Sequence, residues 1–266
     1  METAGGSNTE RQRRPPRPFR SMSVAQVEQL SSRMLRLTFV GAGLRGLYVD
    51  GPASSVRLLI PSPDVGDLVI PKWTGNEFLL PDGSRPIIRT FTPRFMDPVE
   101  PFLVLDIVLH DGGAVSNWAR TAQMGHPAAV SGPGRSYAID RKAVEYVLLG
   151  DESAIPAISQ LLEAIPAWIP VRATIEVAHP EARMMLPHHP AAVVEWLDQK
   201  PGLPPGDGLV RAAATSHLAE GVRLWAAGEA AAMHRIRRNL FADRRVPRSA
   251  ATVRGYWKIA RLRRPV

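Results

Sequence analysis

Arg89-Thr90-Phe91-Thr92-Pro93-Arg94 packs two guanidiniums, two hydroxyls and an aromatic ring into six residues, at the end of a strand-like run, Arg85–Thr92. Side chains of an extended chain alternate between faces. Arg89, Phe91 and Pro93 are therefore expected on one face, and Thr90, Thr92 and Arg94 on the other. An Arg can clamp a phosphate by paired hydrogen bonds, an aromatic can lie on a planar ring, and a Thr hydroxyl can bond a polar ring edge. This order of side chains suits the mononucleotide half of a flavin. It equally suits an ordinary barrel strand with an exposed Arg, and spacing alone leaves both open.

The second candidate is His110-Asp-Gly-Gly-Ala-Val-Ser-Asn-Trp118-Ala119. A strand ends, two glycines turn the chain, and a helix begins near Ala114. Amides freed at a helix start attract anions, and paired glycines let a diphosphate approach closely. His110, Gly113, Ala114, Ser116 and Trp118 are the candidates. The alternative is a tight turn into a packing helix, with Trp118 in the core. His110 reads as a structural histidine, not a base.

Two strand–Gly–helix junctions follow, around Gly150-Asp151-Glu152-Ser153-Ala154 and Gly228-Glu229. Each glycine stands at the carboxyl edge of a parallel strand, where α/β sheets bind ligands. Ser153 reads as a helix cap. Asp151 and Glu152 suit a helix dipole but would repel a phosphate, so acidic caps on structural helices remain the alternative. Gly41-Ala-Gly43-Leu-Arg-Gly46 has the GxGxxG spacing, but no helix can follow through Leu47–Pro52, so it reads as a glycine-rich loop.

Two kinds of element must position these residues. Val24–Leu30, Met34–Val40, Ser55–Ile60, Arg85–Thr92, Leu103–His110 and Ala128–Ser131 read as short strands separated by Gly and Pro, with one helix at Val115–Gln123. That pattern predicts an antiparallel β-barrel over 21–140. From Asp140 the style changes. Apolar runs at Val144–Leu149, Ala173–Ala178, Leu224–Ala227 and Thr252–Trp257 alternate with helical stretches at Ser153–Ala164, Val193–Leu197 and Ala230–Phe241. This predicts a parallel α/β domain over 141–266. The fold class is thus β plus α/β, with residues 1–20 expected as a disordered basic tail.

The chain of 266 residues has no cysteine, which excludes disulfides, iron–sulfur clusters and thiolate zinc sites. Redox chemistry would need an organic cofactor. No P-loop, HExxH, GxSxG or clustered metal-ligand set occurs, and no metal is expected. The charge of +8 is concentrated at the ends: 1–20 hold five Arg against two Glu, and 234–264 hold eleven basic residues against Asp243. The body between is net acidic. The basic ends are read as a tail and a solvated face, the latter with a possible part in holding an anionic ligand, and no nucleic-acid partner is expected. Without an 18-residue apolar run or a signal-like h-region, no membrane association is expected and the cytoplasm is the expected location.

Six ordered motifs over roughly 21–260 resemble the siderophore-interacting proteins, FAD-dependent ferric-siderophore reductases of the ferredoxin-reductase-like group. They are Leu30–Phe39, Arg89–Arg94, Gly113–Ala119, Gly150–Ala157, Trp225–Glu229 and Gly255–Lys258. The resemblance implies FAD on Arg89, Thr90, Phe91, Thr92 and the 110–118 segment, and NADPH or NADH at 150–154 and 228–229. It implies a ferric siderophore as substrate, with Arg135 and Lys258 facing it, and flavin-centred chemistry without a catalytic side chain. The protein is expected to be a monomer. Phe91 stands where the family more often has Tyr, and Ala114 and Asn117 stand where Pro and Arg are usual, which would weaken FAD affinity. Two rivals are another flavin-dependent NAD(P)H oxidoreductase, such as a flavin or quinone reductase, and a non-catalytic binding protein.

Overall fold

Short β-branched and leucine-rich runs build the first half. The computed structural model describes residues 16–63, 66–97 and 99–259. The first strands are β1 (Arg20–Ser31), β2 (Met34–Val40), β3 (Val56–Ile60), the two-residue strands β4 (Lys72–Trp73) and β5 (Phe78–Leu79), β6 (Ile87–Phe91), β7 (Pro93–Asp97), β8 (Phe102–Val108) and β9 (Pro127–Ser131). Helix α1 (Ala114–Arg120) lies between β8 and β9. Seven strands form one sheet in the order β6-β3-β9-β1-β2-β8-β7, and β4 and β5 form a separate hairpin. All ladders of the large sheet are antiparallel. Its edge strands β6 and β7 are joined by Thr92 alone, so the sheet must curl until its edges approach. Leu37, Phe39, Leu58, Leu103 and Leu105 fill the curl, each worth about 1.5–3 kcal/mol on burial.

The second half contains β10 (Glu145–Asp151), α2 (Ile155–Ala164), β11 (Val171–Val177), β12 (Ala192–Asp198), α3 (Asp207–Thr215), β13 (Val222–Glu229), α4 (Ala230–Arg238) and β14 (Ala251–Trp257). Its strands are parallel in the order β12-β11-β10-β13-β14. Alternation sends Tyr146, Leu148, Trp225 and Ala227 to the α2 face, and Val147, Leu149, Leu224 and Ala226 to the face covered by α3 and α4. Helices on both faces bury every central strand, which explains the continuous apolar runs.

The expected helix at Val193–Leu197 is instead part of β12. The run is too short to distinguish periods of 2 and 3.6. Its pairing with β11 from Val171↔Ala192 to Val177↔Asp198 settles the matter. The expected tail, residues 1–20, lies outside the described residues over 1–15, and its last residue, Arg20, opens β1.

The α2 face also packs on the barrel, since Met34 and Ala53 belong to its core. Polar contacts tie the halves together. Arg94 bonds Glu163 through both amino groups at 2.9 and 2.6 Å. Gln160 accepts from the Ala53 amide at 2.9 Å and donates to the Pro93 carbonyl at 2.5 Å. Arg33, in the β1–β2 turn, donates to Glu152 at 2.9 Å.

Candidate functional site

The Arg89–Arg94 motif occupies the corner where the barrel changes edge. Among the described residues β6 pairs only with β3, so its other side presents free backbone groups at Arg89–Phe91. Arg89 and Thr90 are exposed, and Phe91 is half-buried against the barrel core. The Arg89 guanidinium donates only to the neighbouring Ile88 carbonyl, at 2.8 Å, among the described residues. Face alternation holds through Phe91 but not to Arg94. The chain leaves β6 at Thr92, and Pro93 and Arg94 enter β7 on the opposite edge. Thr92 and Arg94 are buried, and Arg94 is committed to Glu163. Tyr256 packs on the core that Met34 and Ala53 of the barrel share with the α2 face, and burial pushes its phenol up.

Helix α1 packs against β6 and β8. Gly113 is its N-cap. A Cβ there would sit 2.4 Å from His110 Cε1, so the His110 ring fills the place of a side chain. His110 is exposed and its Nδ1 lies 3.2 Å from the Asp111 carbonyl. Ser116 is buried: it accepts from the His110 amide at 3.2 Å and donates to the Val108 carbonyl at 3.1 Å. Its hydroxyl thus fastens the turn. Trp118 stacks on Phe39, with centroids 6.4 Å apart and planes 4° apart. Ala114 is half-buried and Asn117 exposed. The strand end supplies a free cation, a free hydroxyl and an apolar ring beside a glycine turn, and this donor set fits a flavin nucleotide.

In the α/β half the sheet changes direction between β10 and β13. From β10 the chain builds outward to β11 and β12, then returns to lay β13 and β14 on the other side. The crevice at such a switch point, at the carboxyl ends of the strands, is where open α/β sheets take ligands. Gly150, Asp151, Gly228 and Glu229 stand there, with Glu152, Ser153 and Ala154 in the following 3₁₀ turn.

The carboxylates that would repel a phosphate all point inward. Asp151 is the cap, not Ser153: its Oδ1 accepts from the Ser153 amide at 3.0 Å and hydroxyl at 2.5 Å. Its Oδ2 accepts from the Glu229 amide at 2.9 Å and the Trp257 indole at 2.7 Å. Burial, opposed by these bonds, pushes Asp151 up to about 6. Glu152 accepts from Arg33 and from the Ala178 amide at 2.7 Å. Glu229 caps α4 through the amides of Ala231 and Ala232, at 2.6 and 2.9 Å. Glu176, at the end of β11, accepts from the amides of Gly206 and Gly208. Ala154 is buried under α2.

Of the expected substrate residues, Arg135 and Lys258 are exposed. Arg254 bridges their segments: from β14 it donates to the carbonyls of Ala53 at 3.0 Å and Arg135 at 3.5 Å. Sequence reasoning missed Arg57. It lies on β3 between Thr90 of β6 and Ser131 of β9. It donates to Ser131 Oγ at 2.9 Å, with the rings of Phe19 and Phe78 at 5.9 and 5.4 Å. Among the described residues it has no carboxylate partner, and burial lowers its pKa. The signal, a lone Arg in an apolar strand, gains meaning only when its neighbours are known. The Gly41–Gly46 segment forms a 3₁₀ turn, Ala42–Leu44, clamped to β1 by Arg20 donating to the carbonyls of Gly43 and Arg45.

A curled antiparallel barrel with a ligand-ready strand corner, joined to a parallel sheet with a switch-point crevice, defines a ferredoxin-reductase-like module. The same architecture occurs in a phthalate dioxygenase reductase at 12 % identity, TM-score 0.57, a likeness of fold alone. The chain belongs to the siderophore-interacting protein family. Residues 23–137 match the siderophore-interacting FAD-binding domain and residues 143–260 the siderophore-interacting protein model. A siderophore utilization protein from T. fusca is 34 % identical, with 94 % of this chain and 97 % of that one covered and a TM-score of 0.81. The NADPH-dependent ferric-chelate reductase of Escherichia coli K12 is 31 % identical over 182 residues, 67 % of this chain and 71 % of that protein.

Proposed function

We propose that this protein is an FAD-dependent NAD(P)H:ferric-siderophore reductase that releases iron as Fe(II). The observation that carries the reading is the pairing of a free Arg–Thr–Phe strand corner with a switch-point crevice, the two halves tied beside the motif by Arg94–Glu163. The family match to an FAD-binding domain and the ferric-chelate reductase among its relatives support it. When bound, FAD supplies the redox chemistry, accepting a hydride from NAD(P)H and passing electrons singly to ferric iron.

The chain's own part is positioning and charge. Arg89 would neutralise the flavin phosphate, Thr90 and Thr92 would meet polar ring or ribitol atoms, and Phe91 would lie on the ring. Gly113 and Ala114 would let the diphosphate approach α1, with His110, Ser116 and Trp118 shaping that turn. Gly150–Ala154, Gly228 and Glu229 would form the floor of the nicotinamide crevice. Arg135 and Lys258 would face the ferric chelate. Arg57, a half-buried cation without a counter-ion among the described residues, adds a third positive group suited to an anionic chelate. Hard oxygen donors hold Fe(III) far better than Fe(II), so one electron frees the metal.

Arg89→Ala is expected to lower FAD occupancy of the purified protein. Flavin absorbance unchanged from wild type would refute that assignment.

A further inference from the structure

Asp151 is a buried carboxylate whose two oxygens take four donors from three strands. Ser153 follows its own strand β10, the Glu229 amide belongs to β13, and the Trp257 indole ends β14. The convergence occurs only at the carboxyl edge. Gly228, beside it on β13, could not carry a side chain: a Cβ would lie 2.5 Å from Asp151 Oδ2. With every acceptor position taken, Asp151 has little left to offer a dinucleotide.

What it does hold is Trp257. This indole is 40 % exposed, and its N–H donates to Asp151. The preceding residue, Tyr256, packs on the core that Met34 and Ala53 of the barrel share with the α2 face. A strand bulge between Gly228 and Glu229 brings Trp257 level with Glu229 at the crevice. Trp257 therefore stands at the crevice, next in sequence to the residue that packs toward the barrel, with part of its ring exposed.

We propose that Asp151 is a positioning residue acting through Trp257: it sets the indole as a wall of the crevice that receives the nicotinamide. The inference rests on the nicotinamide reading above. It separates Asp151 from the residues that contact the dinucleotide, and it adds Trp257 to them. Asn at position 151 has nearly the same shape but must present an amide NH₂ to one of the present donors. Trp257→Phe keeps a ring and removes the N–H.

The test uses the flavin-loaded full chain as wild type, Asp151→Asn, Trp257→Phe and the double variant. Near-UV circular dichroism without nucleotide reads the indole, and anaerobic stopped-flow flavin reduction reads the nucleotide. Asp151→Asn is expected to change the Trp257 band and to raise the half-saturating NAD(P)H concentration about tenfold, the effect of one hydrogen bond to a charged group. The limiting reduction rate should change less. The double variant should be no worse than Trp257→Phe, because the two residues act as one unit. Effects that add, or a near-UV spectrum that Asp151→Asn leaves unchanged, would overturn the positioning role. A wild-type flavin reduced by neither NADH nor NADPH would instead overturn the nicotinamide reading, and the crevice role with it, whatever the spectra show.

Discussion

Replacing Asp151 by Asn removes a proton-binding site from the middle of the α/β sheet. Burial disfavours its charged form more than the bonds from Ser153, Trp257 and Glu229 favour it, raising it from the ordinary 3.8 to about 6. A folded pKa above the unfolded one means that folding takes up a proton. This group's contribution to stability is therefore full below pH 3.8 and lost as pH rises through 6. At about 1.4 kcal/mol per pH unit, the whole effect is bounded near 3 kcal/mol. Between pH 7 and pH 5 the wild type should gain roughly 1 kcal/mol from this carboxyl. Asp151→Asn carries a constant penalty for its mismatched donor but lacks the pH-dependent part. Urea unfolding of both proteins at pH 5, 6 and 7 measures the difference. A gap between them that widens by about 1 kcal/mol on acidification is expected. Parallel stability profiles would refute the assignment of a proton to Asp151.

Other substitutions test neighbouring parts of the account. Gly228→Ala places a methyl 2.5 Å from Asp151 Oδ2. It should cost about 1–3 kcal/mol and lower the unfolding temperature by several degrees, and a wild-type Tm would contradict the close packing. Glu163→Ala leaves Arg94, whose side chain is 7 % exposed, without its carboxylate. Because Glu163 is itself 43 % exposed, about 1–2 kcal/mol is expected, and an unchanged urea midpoint would show that the pair does not join the domains. Arg57→Met should raise the KM for an anionic ferric chelate about tenfold while sparing a neutral one. Equal effects on both would count against its charge.

Much of the architecture was legible because it rests on period and punctuation. The buried strands β10 and β13 are apolar on both faces, and Gly–Pro turns bound the barrel strands. Four features were not, the first being the β4–β5 hairpin, whose two-residue strands are too short to show a period. β7 begins with Pro93 one residue after β6, and nothing local shows that Thr92 carries the chain to the opposite edge. β12 is a sheet edge with alternating exposure, too short to separate from a helical turn. Helix α3 starts beyond the Pro–Gly segment 201–206, and its N-terminus is capped from afar by Glu176. The same non-local logic governs the site. Arg89, Gly150 and Gly228 could be singled out from their neighbours in sequence. The inward commitment of Asp151, Glu152 and Glu229 depends on partners up to 119 residues away. Arg57 and Trp257 stand out only through what surrounds them.

The central claim is electron flow from a nicotinamide through FAD to siderophore-bound iron. Anaerobic mixing of the purified, FAD-loaded protein with NADH or NADPH, followed by a ferric siderophore and a ferrous-specific trap, tests it directly. The account predicts bleaching of the flavin by at least one nucleotide, then its recovery with about two ferrous ions trapped per nucleotide consumed, by electron balance. A protein that takes up no FAD, or a reduced flavin that yields no ferrous iron from any of a panel of ferric siderophores, would contradict it.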